Sequence, residues 1–198
     1  MRKERLTAFT DGVVAIIVTI MVLELKVPHG TDWATLLTVL PVFLSYVLSF
    51  VYVAIYWNNH HHLMHAVFRV NGGILWANMN LLFWLSLIPF ATAWMGENQF
   101  ARLPTAVYGV ALLMPALSYF VLQTMIIRHQ GPRGTLAKAP GRDFKGKASL
   151  AMYAAAIAAG FFIPWVSHAL YISVALMWRS GISHMRDRKS TRLNSSHG

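Results

Sequence analysis

Residues 6–27 read LTAFTDGVVAIIVTIMVLELKV. As one helix rising about 1.5 Å per residue, this stretch reaches across the roughly 30 Å of a bilayer's hydrocarbon core. Pro28 stops it, and Glu24 and Lys26 mark its polar end. A plain anchor has no use for Asp11. An ionisable side chain at membrane depth is costly, so this helix is expected to do more than hold the chain in lipid.

The same pattern recurs along the chain. Residues 35–57 form a second apolar run, with Pro41 in its first turns, where proline does least harm. A polar joint, NNHHHLMHAVFRVNGG, follows it. The third run is 74–95, with a kink expected at Pro89, and the fourth is 105–127, with Pro115 near its middle. A basic Gly/Pro-rich loop then leads to residues 148–182, which are apolar apart from His168 and Arg179. One helix of that length would reach about 50 Å, too far for one crossing. Pro164 divides it into crossings at 148–163 and 165–182.

The reading is therefore an all-α integral membrane protein with six transmembrane helices in one unit, residues 1–185. Composition agrees: 56% of residues are hydrophobic and 12% charged, where a soluble domain carries about 25% charged residues. A cleavable leader is not expected, because the first run holds Asp11 and lacks a small-residue cleavage site. Without cysteines the chain has no disulfide or thiolate chemistry. Trp33, Trp57, Trp76 and Trp94 fall near the span ends, as interfacial aromatics do.

The net charge of +10 does not point to nucleic acid, because the charges lie in alternate loops between apolar runs. With six crossings every Lys and Arg except Lys26 and Arg102 falls on the side of the two termini. That asymmetry predicts cytoplasmic termini in a cell (inner) membrane. The loop over 128–147 is explained by topology and by attraction to anionic lipid. Residues 186–198 are expected to be a disordered or non-native tail.

Several residues stand out against this background. Ile16, Thr19, Ile20 and Leu23 share one face of the first helix, with Gly12 one turn before them. That face can pack on other helices or line a path. Arg5 and Asp11 are not helical neighbours, so each is expected to find a partner on another span or subunit and clamp the helix base. Asn78 and Asn80 are expected to bond neighbouring helices, and one of the two could partner the first helix. Glu97 and Arg102 share a short loop as a solvated pair. His60, His61, His62 and His65 read as an interfacial helix extension; His61 and His65, at i and i+4, could share a metal, and a pH-sensing role stays open, but HHHLMH lacks the glutamate of a zinc-protease helix, and no resident metal or cofactor is expected. No phosphate-cradling loop, nucleophile–base pair or paired carboxylates point to an enzyme.

The pattern Arg5-x-x-x-Phe9-Thr10-Asp11-Gly12 resembles the RxxxFSDG signature of the transmembrane protein 175 family of potassium channels, in its short prokaryotic form. Thr10 stands where the family usually has Ser and keeps the hydroxyl. The likeness continues through AIIVTIMVLELKVP, Trp57-x-x-His60 with Leu63, Asn80-Leu81-Leu82 and Ser86-Leu87-Ile88-Pro89-Phe90, over about the first half of the chain. It implies a homotetramer in the lipid bilayer, with the first helix lining a central pore for K+. It places a hydrophobic constriction at Ile16, Ile20 and Leu23, with Thr19 as the polar pore-facing residue. It implies a structural and gating network at the helix base, drawn from Arg5, Phe9, Thr10, Asp11, Gly12, Trp57, His60 and Asn80. The competing class is a small secondary transporter of cations or protons, with a site at broken helices. Pro89 and Pro115 would allow it, but the two halves show no internal repeat.

Overall fold

In the computed structural model, residues 3–65, 67–130 and 142–178 are described. All regular structure among them is helical: α1 (Lys3–Leu23), α2 (Trp33–Thr38), α3 (Leu40–His65), α4 (Gly72–Ser86), α5 (Ile88–Glu97), α6 (Arg102–Gln130) and α7 (Arg142–Phe162). Residues 164–178 form a further helix, α8, which runs to the edge of the described region. Four helical segments are long and apolar enough to cross a membrane: α1, α3, α4 with α5, and α6. The apolar part of α7 is shorter. The tail over 186–198 and part of the basic loop lie outside the described residues.

Among the described residues seven helices, α1 to α7, stand where five spans were expected, and proline accounts for the difference. The second run divides into α2 and α3. Asp32 caps α2, accepting from the Thr35 N–H at 3.3 Å. Pro41 has no N–H for the Leu37 carbonyl, so α2 cannot run on unbroken. Its last carbonyls instead receive the Val39 N–H. The third run bends at Leu87, as the kink expected at Pro89 required: that one residue, still of right-handed helical conformation, separates α4 from α5, with Pro89 in the first turn of α5. At its start, the Asn71 side chain accepts from the Ile74 N–H at 2.8 Å. Past the second run the polar joint stays helical as far as His65, an extension of α3 as the histidine cluster suggested. The break between α7 and α8 falls at Ile163, beside Pro164.

Helix α6 packs on α4, α5 and α7, α3 on α5, and α1 on α3, α4 and α5. Small residues and hydroxyls let these helices approach. A Cβ at Gly96 would sit 2.7 Å from the Val42 Cα, so α5 crosses the start of α3 with no room for a side chain. Deeper in, Ser49 joins the Thr92 hydroxyl at 2.7 Å and the Tyr108 hydroxyl at 3.0 Å. Tyr52 donates to the Tyr171 carbonyl at 2.5 Å.

Pro115 lies inside α6 and loosens the turn before it. The buried Tyr56 hydroxyl donates to the Leu112 carbonyl in that turn at 3.2 Å, tying α3 to α6. The carbonyl that Pro115 leaves without its helical N–H is that of Ala111; Tyr56 bonds the next one, and so adds a cross-helix tie to the loosened turn. Tyr56→Phe is expected to cost about 1 kcal/mol and lower the thermal midpoint of the purified protein, leaving its elution volume unchanged. An unchanged midpoint would mean that the Leu112 carbonyl is satisfied without Tyr56.

Candidate functional site

Helix α1 presents two unlike faces. Leu6, Thr10, Val14, Ile17 and Met21 are buried, spaced so that they form one stripe. This stripe lies against α3, α4 and α5. The opposite face is uncovered: Ile16 is 59% exposed, Ile20 42% and Leu23 75%. Gly12 and Thr19 are exposed there too, and a Cβ added at Gly12 would meet no atom within 4 Å. The residues marked in the sequence as one face thus lie on the side of α1 that its own subunit leaves open. The Thr19 hydroxyl donates to the Ala15 carbonyl at 2.9 Å. Its proton is committed to the backbone, so the lone pairs of its oxygen remain outward.

At the base of α1, adjacent residues reach two partners. The Thr10 hydroxyl oxygen accepts from the Asn78 amide at 3.0 Å. The Asn78 carbonyl oxygen lies 2.7 Å from His60 Nε2. That oxygen can only accept, so the His60 proton resides on Nε2. Thr10, Asn78 and His60 are all essentially inaccessible to solvent. One residue on, the Asp11 carboxylate accepts from Trp57 Nε1 at 2.9 Å. A single turn of α3 supplies Trp57 and His60, so one helix face holds both Thr10, through Asn78, and Asp11.

Other named residues lie differently. Asn80 points to α6, where its amide donates to the Ser118 hydroxyl at 2.8 Å. Asn78 belongs to the stripe of Ile74, Leu81 and Leu85, the buried face of α4. That 3.6-residue spacing was the available signal for choosing Asn78 over Asn80 as the partner of α1. Phe9 is 51% exposed on the open side. Arg5 is exposed as well, and the ion pair found among the described residues does not involve it. Asp11 thus finds its partner in a neutral indole. At the far end of α1, Glu97 pairs with Lys26, and not with Arg102 as the loop spacing suggested. The hydrogen bond to Glu97 and its charge hold the Lys26 ammonium above the ordinary lysine range. Among the described residues no group of three or more His, Asp or Glu is gathered as a metal centre.

Comparison with known proteins accounts for this layout. Residues 5–89 match the family model described as endosomal/lysosomal potassium channel TMEM175. A potassium channel of Chryseobacterium sp. (strain P1-3) is 52% identical over 194 residues, which cover 98% of this chain and all of that protein. The endosomal/lysosomal proton channel TMEM175 of Rattus norvegicus is 29% identical over 172 residues; these take in 78% of this chain and 33% of the rat protein. The crystal structure of a lysosomal potassium-selective TMEM175 homologue from Chamaesiphon minutus superposes with a TM-score of 0.77 at 26% identity, covering 89% of this chain and 96% of that one. These proteins are ion channels by name, and none is an enzyme. The uncovered α1 face and the ties at its base thus sit in a multi-pass, all-helical membrane protein, and the chain belongs to the TMEM175 channel family.

Proposed function

We propose that the protein is a potassium-selective channel in which copies of α1 surround a central water path. The observation that carries this reading is the uncovered stripe of α1. Its subunit packs one side of the helix and leaves Gly12, Ile16, Thr19, Ile20 and Leu23 open. A wholly lipid-facing stripe has no need of Gly12, or of a hydroxyl at Thr19 with its lone pairs turned outward. The potassium-channel name of the Chryseobacterium relative supports the choice of ion.

In this reading the subunits form a homotetramer in the cell (inner) membrane, with both termini in the cytoplasm, and residues 1–185 form the channel unit. A closed ring of identical short chains makes one axial conduit. Rings of Ile16, Ile20 and Leu23 narrow it and close it by dewetting; slight widening readmits water and ions. Sodium holds its water more tightly than potassium, and alkyl groups offer no replacement ligands, so the constriction favours the ion that sheds water more easily. Thr19 oxygens supply the few polar contacts. No cofactor takes part, and K+ is the permeant species.

Purified protein in a planar bilayer tests this. Unitary current steps that reverse near the potassium equilibrium potential are expected. Stoichiometric uptake without steps would instead make the protein a secondary transporter. The rat relative is named a proton channel, so the same recording under a pH gradient at symmetric potassium measures the proton share of the current.

A further inference from the structure

The last turns of α3 carry an arrangement that the potassium path does not use. His61 and His65 are one helical turn apart, with Nε2 atoms 3.0 Å from each other. Their rings meet edge to face at 4.4 Å. His61 is half-buried and His65 exposed. Both line a cavity of about 320 Å³, open to solvent, between α3 and the first turns of α1, together with Lys3, Glu4, Thr7 and Asp11, so two carboxylates there outweigh one ammonium.

The geometry points to a binding site for a divalent first-row transition ion of the imidazole-preferring kind, with Zn2+ as occupant, chelated by His61 Nε2 and His65 Nε2. A metal–nitrogen bond of about 2.0–2.1 Å sets the bite of two ligands at roughly 3.3 Å for a tetrahedral ion and roughly 2.9 Å for adjacent octahedral positions. The observed 3.0 Å lies between them. The ion takes the place of the proton between the two nitrogens; through water that proton moves to Nδ1 of the same ring, so both imidazoles bind as neutral ligands. Among the described residues no third ligand joins the pair in a ready-made cluster. Water completes the coordination, and the Glu4 carboxylate lines the same cavity. Such a site is filled and emptied reversibly.

Its position gives it a consequence. The Trp57 indole stacks on the His61 ring at 5.8 Å, and the same indole donates to Asp11. A dication on His61 is thus one side chain away from the tie at the base of α1. It also adds positive charge at that end of the helix, within reach of a Debye length of about 8–10 Å. Resting on the channel reading above, Zn2+ on the side of the termini reduces the potassium current.

The first measurement needs no current. Calorimetric titration of tag-free, detergent-solubilised protein with Ni2+ is expected to show one site per subunit. His61→Gln and His65→Gln are each expected to weaken binding roughly tenfold or more, whereas His62→Gln leaves it intact. His65 is exposed and His61 half-buried, and an unchanged elution volume verifies the fold of each variant. Paramagnetic resonance of wild-type protein loaded with Cu2+ is expected to show two imidazole nitrogens. Unchanged Ni2+ binding in the double variant, or a one-nitrogen Cu2+ spectrum, overturns the site. In bilayers, Zn2+ on the terminal side is expected to cut the wild-type current and spare the double variant. Ni2+ binding with unaffected currents overturns the regulatory consequence. Ni2+ binding with no currents under any condition sinks the channel reading and leaves the metal site standing.

Discussion

Leu23→Ala is expected to raise the potassium current about tenfold or more and to bring the potassium-to-sodium permeability ratio towards one. Leu23 is 75% exposed on its own subunit, so truncation removes almost no packing within the fold. What it removes is apolar surface facing the proposed path. Each methylene or methyl group carries about 0.8 kcal/mol of hydrophobic free energy, and loss of three carbons from every copy in a ring favours wetting by several kcal/mol. Ile16→Asn is expected to act in the same direction, because an amide holds water where the isoleucine repels it. Bi-ionic reversal potentials and single-channel amplitudes measure both. Wild-type currents and selectivity in the two variants together would remove α1 from the pore.

The second large effect belongs to the base of α1. Asn78→Ala leaves the Thr10 oxygen without its donor and the His60 Nε2–H without its acceptor, in a region closed to water. Each orphaned buried group costs about 1–3 kcal/mol in water-soluble proteins and somewhat less in membranes, so a total near 2–4 kcal/mol is expected. The readouts are the thermal midpoint of the purified oligomer and its survival in size-exclusion chromatography. Asp11 offers a contrast. Asp11→Asn keeps an acceptor for Trp57 Nε1, whereas Asp11→Ala does not. Assembly or gating is expected to suffer in Asp11→Ala, and selectivity to be largely retained. A selectivity change in Asp11→Asn with assembly intact would make the carboxylate an ion site.

The sequence carries the run of apolar segments openly, because each must satisfy the same length and hydropathy requirement. The two-faced character of α1 was legible as well: helical spacing alone separates Ile16, Ile20 and Leu23 from Val14, Ile17 and Met21. How far each proline would interrupt its helix was not legible. Pro115 stays within a continuous α6, with Tyr56 donating to the loosened turn, while Pro41 and Pro89 stand at helix boundaries. Whether the turn loosened by a proline is tied from outside is decided by a neighbouring helix, which no local pattern records. Asp11 differs. Nothing in the charge pattern identifies its partner, an indole 46 positions away, but the family resemblance places Trp57 in the same network as Asp11. Asn78 and Asn80 differ in the direction they face, which the spacing of Asn78 with Ile74, Leu81 and Leu85 records in the sequence; which helix each face meets needed the packing of α4.

Helix α1 is held at its two ends by unlike fastenings. Near its start the ties to Asn78 and Trp57 are short, and the Thr10–Asn78 bond lies away from water. Past its finish, Lys26 and Glu97 meet in open solvent, where dissolved ions weaken such attraction. Mechanically this is a beam clamped at one support and sprung at the other. Raising ionic strength slackens the spring and leaves the clamp alone; Val14, Ile17 and Met21 stay packed along the span, so the loosening is confined to the turn at Leu23 and beyond.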